Sequence, residues 1–405
     1  MAAQTVAPTR DSDRVEAMDV MRGVALFGIL LMNITMFGLP FSYSDPTVYG
    51  GAQGADLWSW IILNMGFEGT QRALFSLLFG AGVVLFIARL EEAGRKDALD
   101  IFFRRNLWLV AFGVVHAYVL LWVGEILFSY GVTALFVVAF RNVAPKRLMA
   151  LAAAGFILTT AWSLLDTRHA LELAAGNEAA LAAEATGESL SEEQEAAKEA
   201  WKDFASKLKP GEKKIQEEID AHKGGYFTVM THQAPTVHYF ESWMLYRYFF
   251  DIFSMMLFGM ALFKMGVFTL KRKMSTYALM MAGGYAVGLS VNFFETKWIL
   301  DHNFSVIAMS QANITYDLGR LAMTIGHVGA LLLFCKSGVV GILRRALAAV
   351  GRMALTNYIS HSVICGFVFF GFGFGLYGDL SRHQLYYVVL AIWAFQLVAS
   401  PLWLA

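Results

Sequence analysis

The sequence predicts an all-α, polytopic integral membrane protein with about ten transmembrane helices and a small extracytoplasmic helical insertion. Of the 405 residues, 57% are hydrophobic and only 16% are charged, and the mean hydropathy is +0.52. This composition is more apolar than that of an ordinary soluble domain. Ten apolar stretches have, or nearly have, the roughly 20 residues that cross a bilayer. The lysines and arginines between them fall almost entirely in alternate loops.

The ten stretches alternate with loops along the whole chain. They lie at residues 20–38, 57–90, 105–123, 126–140, 147–164, 243–265, 275–294, 317–335, 353–372 and 385–404. The second stretch is long and is interrupted by Gly66 and Gly69, which predicts a broken helix. An even number of spans places both termini on one side of the membrane.

The distribution of positive charge predicts that both termini are cytoplasmic. With the N-terminus inside, the short outer loops contain only Lys297 and Arg382. Positive charge is concentrated on the cytoplasmic side of membrane proteins. The inner segments carry Arg10, Arg14, Arg89, Arg95, Lys96, Arg104, Arg105, Arg141, Lys146, Arg147, Lys264, Lys271, Arg272, Lys273, Lys336, Arg344, Arg345 and Arg352.

One segment is too polar for the membrane, so we divide the chain into three parts. Residues 1–164 hold spans one to five, 165–240 form an extracytoplasmic helical hairpin insertion, and 241–405 hold spans six to ten. A capping box at Ser191 predicts a helix start, and Pro210-Gly211 ends that helix. The charged residues of the insertion indicate a solvated surface, with a docking platform for a partner as the alternative.

Several partners and cofactors are not expected from the composition. The net charge is zero and no basic tract carries interleaved aromatic side chains, so we expect the lipid bilayer and no nucleic acid as partner. Cys335 and Cys365 lie inside predicted spans and form no disulfide framework. The spacing among His222, His232 and His238 predicts no metal site.

Polar side chains at membrane depth indicate where function lies, because each is costly there. Arg22 and Asn33 in span one share a helix face and are about 16 Å apart along the axis. A simpler interpretation makes Arg22 an interfacial anchor and Asn33 an interhelical hydrogen bonder. Glu68 and Arg72 are four residues apart in the order that favours an ion pair, which is the structural alternative to a functional use.

Three further spans carry polar groups that point to a site. His116 lies in mid-span and Glu125 at the outer turn, so the two are candidates for a proton-handling pair, although a buried neutral histidine is common. His327 ends a polar stripe in span eight that begins with Asp317, Arg320 and Thr324. Asn357 and His361 share a face of span nine. We expect one wet central cavity, lined by Arg22, Asn33, Glu68, Arg72, His116 and Asn357.

These residues occur in segments that resemble a known family. The segments are residues 14–33, 75–80, His116 with 124–127 and 130–131, 351–358, 375–378 and 401–403. Together they resemble the YeiB-like bacterial membrane proteins, a family described by a domain of unknown function, DUF418. The resemblance covers nearly the whole chain except the insertion, and it implies the bacterial cytoplasmic (inner) membrane.

A more distant resemblance bears on chemistry. The Arg-Gly opening followed by a polar residue is similar to the transmembrane acyltransferases, in which the lysosomal heparan alpha-glucosaminide N-acetyltransferase has an asparagine at that place. The resemblance implies acyl transfer from cytoplasmic acyl-CoA, a co-substrate and not a firmly bound cofactor, to an extracytoplasmic small molecule or lipid. Arg22 and Arg72 would bind the donor. The catalytic candidates are Asn33, His116, Glu125 and His361, and the substrate-binding candidates are Glu68, His327 and Asn357.

Two departures from these families leave other functions open. No histidine follows Asn33 as far as Asp56, and the family's outer-turn aspartate is Glu125 here. A transporter or flippase for a small amphiphilic solute or lipid would need a similar polar cavity, although no internal repeat favours it. A non-catalytic scaffold is the third interpretation, and the sequence leaves a homo-oligomer open.

Overall fold

The structure, a computed structural model, describes residues 15–187 and 189–405. Arg10 and Arg14, which contribute to the predicted orientation, lie outside the described residues. Within the described parts the chain is helical and contains no β-strand. The helices are α1 (Glu16–Gly38), α2 (Gly54–Gly66), α3 (Thr70–Glu92), α4 (Ala98–Tyr118), α5 (Leu127–Val137), α6 (Pro145–Ala185), α7 (Glu192–Leu208), α8 (Glu212–His222), α9 (Tyr226–Glu241), α10 (Leu245–Lys264), α11 (Met274–Asp301), α12 (Val306–Ala312), α13 (Tyr316–Ser337), α14 (Gly341–Arg352), α15 (Ala354–Phe369) and α16 (Arg382–Leu404).

The described helices match the ten predicted apolar stretches. Seven helical segments are long and apolar enough to cross a membrane: α1, α2 with α3, α6, α10, α11, α13 and α16. Leu127–Phe140 and Ala354–Phe369 are shorter apolar helices. With the 21-residue α4, these account for all ten positions. The prediction of an all-α, polytopic membrane protein is therefore confirmed.

The connecting segments gather at two ends of the helix bundle. We call one end the basic face; it contains residues 93–97, 141–144, 265–273 and 338–340. There Lys264 Nζ donates to the Val143 carbonyl at 2.7 Å. The other end, the insertion face, contains residues 39–53, 119–126, 186–187, 189–244 and 370–381. There Tyr49 donates to the Gly378 carbonyl at 3.0 Å, and Lys223 pairs with Asp379 at 2.6 Å.

The second span is broken as the sequence predicts. Helix α2 ends at Gly66, and α3 begins after Gly69, whose φ of +66° is left-handed and favours glycine. Backbone groups freed by such a break must find partners inside a membrane protein. His327 Nε2 donates to the Gly66 carbonyl at 2.9 Å, and Asn292 Nδ2 donates to the Met65 carbonyl at 2.7 Å.

The insertion is larger than a two-helix hairpin. Helix α6 runs unbroken to Ala185, across the predicted start of the insertion at residue 165. The predicted capping box is confirmed, because Ser191 and Gln194 exchange hydrogen bonds between side chains and backbone amides. The break at Pro210-Gly211 is also confirmed, since α8 starts at Glu212. The three-part division of the chain stays a prediction.

Small residues let α3 and α10 approach closely near the centre of the bundle. A Cβ atom added to Gly80 would lie 2.0 Å from the Met256 carbonyl oxygen, and one added to Gly259 would lie 1.9 Å from the Leu77 carbonyl oxygen. Both contacts are with backbone, which cannot rotate away. Such small-residue crossings let membrane helices pack tightly without a hydrophobic driving force.

We expect Gly80→Ala to destabilise the protein and Gly82→Ala to leave it unchanged or slightly more stable. The first substitution forces two backbones apart, and overpacking of this kind typically costs about 1–3 kcal/mol. The second adds its methyl group where no atom lies within 4 Å, and alanine is the better helix former. Thermal unfolding of both purified variants in detergent measures the difference. Equal melting temperatures would contradict the tight crossing.

Candidate functional site

A large cavity opens at the basic face between α1, α3, α4, α5 and α15. Its volume is about 1310 Å³. Helix ends supply the charged groups at its mouth, because α1 begins, α3 ends, α4 begins and α14 ends at this level. The charged residues of the mouth are Asp19, Arg22, Arg89, Glu92, Arg105 and Arg352.

The mouth of this basic-face cavity is positively charged. Its four arginines and two acids give a net charge of +2. Arg22 pairs with Asp19 at 2.5 Å, one turn earlier on α1. The guanidinium of Arg105 lies over the Phe86 ring, 4.8 Å from its centroid, which fixes the arginine at the cavity wall. A basic mouth of this kind attracts phosphate or carboxylate groups.

The interior of the cavity is apolar and deep. Phe75 and Arg89 both line it and are 14 residues apart on α3, which corresponds to about 21 Å along the axis. The cavity therefore extends most of the way through the hydrocarbon layer. Its apolar wall includes Leu26, Ile29, Leu78, Phe79, Val83, Phe86, Leu109 and Phe112.

Two tyrosines bring polar groups to the deep end of the cavity. Tyr130 contacts Ser76, with 2.5 Å between the hydroxyl oxygens, and donates to the Arg72 carbonyl at 3.1 Å. The Tyr358 hydroxyl accepts a hydrogen bond from Trp122 Nε1 at 3.2 Å. Both tyrosines are nearly fully buried when seen from solvent. The deep end can therefore hold a polar group of a bound molecule.

The predicted His116–Glu125 pair lies directly behind Tyr358. His116 is 1% exposed, and its ring packs edge-on against the Tyr358 ring, with 4.9 Å between centroids. Its Nδ1 lies 3.5 Å from Glu125 Oε1, and its Nε2 lies 2.7 Å from Ser362 Oγ. The Glu125 carboxylate also accepts from the first backbone amides of α5, at Leu127 and Phe128.

A second carboxyl group, that of Glu241, lies near this pair on the side of the insertion face. Glu241, at the end of α9, has an inward-facing Oε1 that is buried without a hydrogen-bond partner among the described residues. Burial first, and the nearby charge of Glu125 second, raise the pKa of Glu241 to about 7. A carboxyl group with this pKa exchanges its proton near neutral pH, as a proton relay requires.

A second, smaller cavity opens at the insertion face and has a volume of about 170 Å³. Glu68 lies in its wall and accepts a hydrogen bond from Tyr43 at 3.0 Å. Burial and the Glu68 carboxylate hold the pKa of Tyr43 well above its usual value, so the tyrosine keeps its proton and donates it. The other polar lining residues are Thr35, Ser44, Asn64, Glu295, Ser310, Asn313, Tyr316, Arg382 and Tyr386.

Buried ion pairs separate the two cavities. Asp251 on α10 accepts from Arg72 on α3 and, at 2.5 Å, from Arg320 on α13. Arg320 also pairs with Asp317 at 2.6 Å, and the second oxygen of Asp317 accepts from Thr159 at 2.6 Å. We call Arg72, Asp251, Arg320 and Asp317 the charge layer. It joins α3, α10 and α13, with α6 at its edge.

The order of residues along the helices places the charge layer between the cavities. Glu68, in the break just before α3, lines the insertion-face cavity. On α3 itself, Arg72 belongs to the charge layer and Phe75 lines the basic-face cavity. On α1 the last residue lining the basic-face cavity is Ile29, whereas Thr35 lines the other cavity. The half-buried Asn33 lies between Met32 and Thr35, which both line the insertion-face cavity, so it lies at the level of that cavity.

The expectation of one shared cavity is wrong. Arg22 lines the basic-face cavity and Glu68 the insertion-face cavity, while Asn33, Arg72, His116 and Asn357 line neither. The expected pairing of Glu68 with Arg72 is also not found. Because the helix break separates Glu68 from α3, its carboxylate meets Tyr43, and Arg72 pairs with Asp251 instead.

Three predicted site residues hold helices together outside both cavities. His327 donates to Gly66 and has its Nδ1 3.0 Å from the Tyr285 hydroxyl, so both ring nitrogens have partners. Asn357 donates to the Val350 carbonyl and to Ser400 Oγ. His361 Nε2 lies 3.0 Å from Gln396 Oε1 on α16. As substrate-binding or catalytic residues they remain predictions, but each has a structural role.

Comparison with known proteins agrees with the family resemblance. Residues 262–405 match the family described as "Protein of unknown function (DUF418)". The uncharacterized protein YxaH of Bacillus subtilis is 27% identical, over 99% of this chain and 92% of its own length. The uncharacterized protein YeiB of Escherichia coli is 28% identical, over 97% of this chain and 92% of its own length.

The C-terminal part of the chain therefore matches the DUF418 family, and nearly the whole chain is similar to YxaH and YeiB. The matching region, residues 262–405, contains Arg320 of the charge layer and the contacts of Asn357 and His361. A third relative, an uncharacterized 39.9 kDa protein in the amylase 3′ region of Bacillus acidopullulyticus, is 34% identical over 34% of this chain and 36% of its own length. No solved structure matches the chain.

Sequence reasoning missed residues that the fold brings to the site. Asp251 was detectable, because an aspartate in the apolar stretch 243–265 is costly unless paired. Gln396 in the last span carried the same signal. Tyr358 carried no such signal in the sequence, since aromatic residues commonly pack between membrane helices.

Proposed function

We propose that the protein transfers an acyl group from a cytoplasmic acyl-CoA, bound in the basic-face cavity, to an acceptor that enters from the insertion face. The observation that supports this most is the cavity itself, with a mouth of four arginines and a long apolar interior. Phosphates bind arginines at such a mouth. The enzyme class also agrees with the distant resemblance to transmembrane acyltransferases.

The proposed orientation follows from the charges of the two faces. Segments of the basic face carry Arg95, Lys96, Arg141, Lys271, Arg272 and Lys273, among other residues. Positive charge of this kind marks the cytoplasmic side. Both termini and the mouth of the large cavity would then be cytoplasmic, where acyl-CoA is available, and residues 186–244 would be extracytoplasmic.

The shape of acyl-CoA predicts how the donor would lie. Its pantetheine arm separates the phosphates from the thioester, so phosphates at Arg22 and Arg105 place the thioester deep in the cavity. There the Tyr358 hydroxyl, whose own hydrogen bond to the Gly124 carbonyl is long at 3.5 Å, would donate to its carbonyl oxygen. Since the arm fills most of the depth, we expect acetyl-CoA or another short acyl-CoA as the donor.

The chemistry would be acyl transfer in which the acceptor's hydroxyl or amine attacks the thioester carbonyl. The new bond forms as the carbon–sulfur bond breaks, and the thiolate leaves with the proton that the acceptor loses. His116, held between Glu125 and Ser362, is the candidate base, and Glu241 can exchange its proton with the insertion face. Asn33, one helical turn beyond Ile29 of the basic-face cavity, would donate to the oxyanion.

We expect saturable acetyl-CoA binding that depends on the arginines of the mouth. Arg22→Ala and Arg105→Ala should each weaken binding about tenfold or more, because each charge-assisted hydrogen bond contributes about 1.5–3 kcal/mol. Calorimetry on the purified protein measures this. Arg247→Ala is the matched control, since Arg247 pairs with Asp166 beside the insertion. Binding that is absent, or equally weak in all three variants, would contradict the donor site.

A transporter or flippase is the second candidate function. The observation that favours it is that His116 and His361 line neither cavity. Two cavities on opposite faces, separated by one layer of ion pairs, are also the geometry of alternating access. A transporter would move a solute or lipid across proteoliposomes without consuming acyl-CoA, whereas a transferase would release free coenzyme A.

A further inference from the structure

Three metal-ligating side chains meet on the insertion, away from both cavities. Glu218 and His222 are one turn apart on α8, and His232 comes from α9. One ligand atom from each lies within 4.8 Å of the other two. His232 Nε2 lies 2.7 Å from Glu218 Oε2, and His222 Nδ1 lies 3.5 Å from Glu218 Oε1. We call these residues the His–Glu cluster.

A buried amide beside the cluster provides a second, independent observation. Gln233 is 5% exposed, its Nε2 lies 2.9 Å from His222 Nε2, and its Oε1 has no hydrogen-bond partner among the described residues. Gln233 Nε2 therefore donates to His222 Nε2, and His222 Nδ1–H donates to the Glu218 backbone carbonyl at 2.9 Å.

To bind an ion through Nδ1, His222 would give up its hydrogen bond to the Glu218 carbonyl and take the other tautomer. The Gln233 amide would then turn by 180°, so that His222 Nε2–H donates to Oε1. A ligating imidazole usually donates its second N–H to an oxygen acceptor, which fixes the ring and its tautomer. The ring also stacks on Tyr377 at 4.2 Å between centroids and 7° between planes, which prevents it from rotating away.

We propose that Glu218, His222 and His232 bind a divalent transition-metal cation of the zinc class. Two imidazoles and one carboxylate are a donor set that zinc prefers, at bond lengths near 2.0–2.2 Å and with a fourth position for water. Ligand atoms bound to one tetrahedral ion are about 3.4 Å apart. The 3.5 Å between His222 Nδ1 and Glu218 Oε1 already matches this separation. The 2.7 Å between His232 Nε2 and Glu218 Oε2 would lengthen with a small rotation of the exposed His232.

The ion would link the insertion to the membrane helices. The His222 carbonyl accepts from the Gly371 amide at 2.8 Å, in the loop that follows α15. Lys223 pairs with Asp379 in the same loop. A cation that joins α8 to α9 would therefore fix the contact of the insertion with residues 370–381. The proposal is independent of the acyl-transfer proposal, since neither cavity includes the cluster.

Zinc binding to the full-length protein tests the proposal directly. After the purified protein is treated with a chelator, Zn²⁺ alone is titrated by calorimetry, and Co²⁺ is titrated by visible absorption. We expect one ion per chain and the intense absorption of tetrahedral Co²⁺. His232→Ala and Glu218→Gln should weaken binding at least about tenfold, and Gln233→Leu should weaken it by about 10–100-fold.

His238→Ala is the matched control, because His238 lies on the same helix, is exposed and is not part of the cluster. It should bind Zn²⁺ as the unmodified protein does. His232 and Glu218 are only partly buried, so their variants should fold, and equal melting temperatures in chelator check this. The proposal is overturned if the unmodified protein binds no stoichiometric ion, or if His238→Ala loses as much affinity as His232→Ala.

Discussion

Asp251→Asn is expected to destabilise the protein by about 3–5 kcal/mol, the usual cost of removing one partner of a buried ion pair. The substitution keeps the size of the side chain but removes the carboxylate that forms ion pairs with both Arg72 and Arg320. Two guanidinium groups would then face a neutral amide in the centre of the helix bundle. The melting temperature of the purified variant in detergent measures the effect.

Asp166→Asn is the matched control for that experiment. Asp166 also pairs with an arginine, Arg247, but about half of its side chain is exposed. Exposed ion pairs typically contribute less than about 1 kcal/mol. A large loss of stability for Asp251→Asn and a small one for Asp166→Asn would support the charge layer as a structural partition. Equal losses would mean that Asp251 is not buried between two cations.

His116→Ala is expected to lower acyl transfer by about 100-fold or more, which is the lower limit of the usual contribution of a general base. Affinity for acetyl-CoA should stay unchanged, because His116 lies behind Tyr358 and does not line the cavity. Release of free coenzyme A from acetyl-CoA, measured with a thiol reagent in the presence of membrane lipids, follows the reaction.

His327→Ala is the control for the same assay. His327 is also a histidine inside the helix bundle, but both of its nitrogens bond to protein groups and it lines neither cavity. We expect this variant to be less stable and to release coenzyme A at the normal rate per folded molecule. The base assignment fails if His116→Ala retains full activity, or if His327→Ala loses as much.

The spans could be predicted from the sequence because a membrane allows few alternatives. In hydrocarbon each span must form its backbone hydrogen bonds within itself, as a helix. Each apolar stretch, and the break at Gly66 and Gly69, could therefore be predicted from its own segment of the sequence. The capping box at Ser191 could also be predicted from its own segment, because its hydrogen bonds join residues three positions apart.

The site could be predicted only in part, because it depends on which helices are neighbours. Residues four apart on one helix are neighbours, so the sequence pairs Arg72 with Glu68. The actual partner of Arg72 is Asp251, which is 179 residues away on α10. His116 and Glu125 were paired correctly because they flank a single turn. Spacing along one chain segment also gave no sign that His232 would meet Glu218 and His222.

Labelling with a photoreactive acyl-CoA is the most direct test of the proposed donor site. A diazirine in a short acyl group would react with whatever surrounds the thioester end. We predict labelling of peptides that contain Tyr130 or Tyr358, at the deep end of the basic-face cavity, and loss of that labelling when unlabelled acetyl-CoA is present. Labelling only of residues at the mouth or on the lipid-facing surface, or labelling that acetyl-CoA does not reduce, would contradict the proposal.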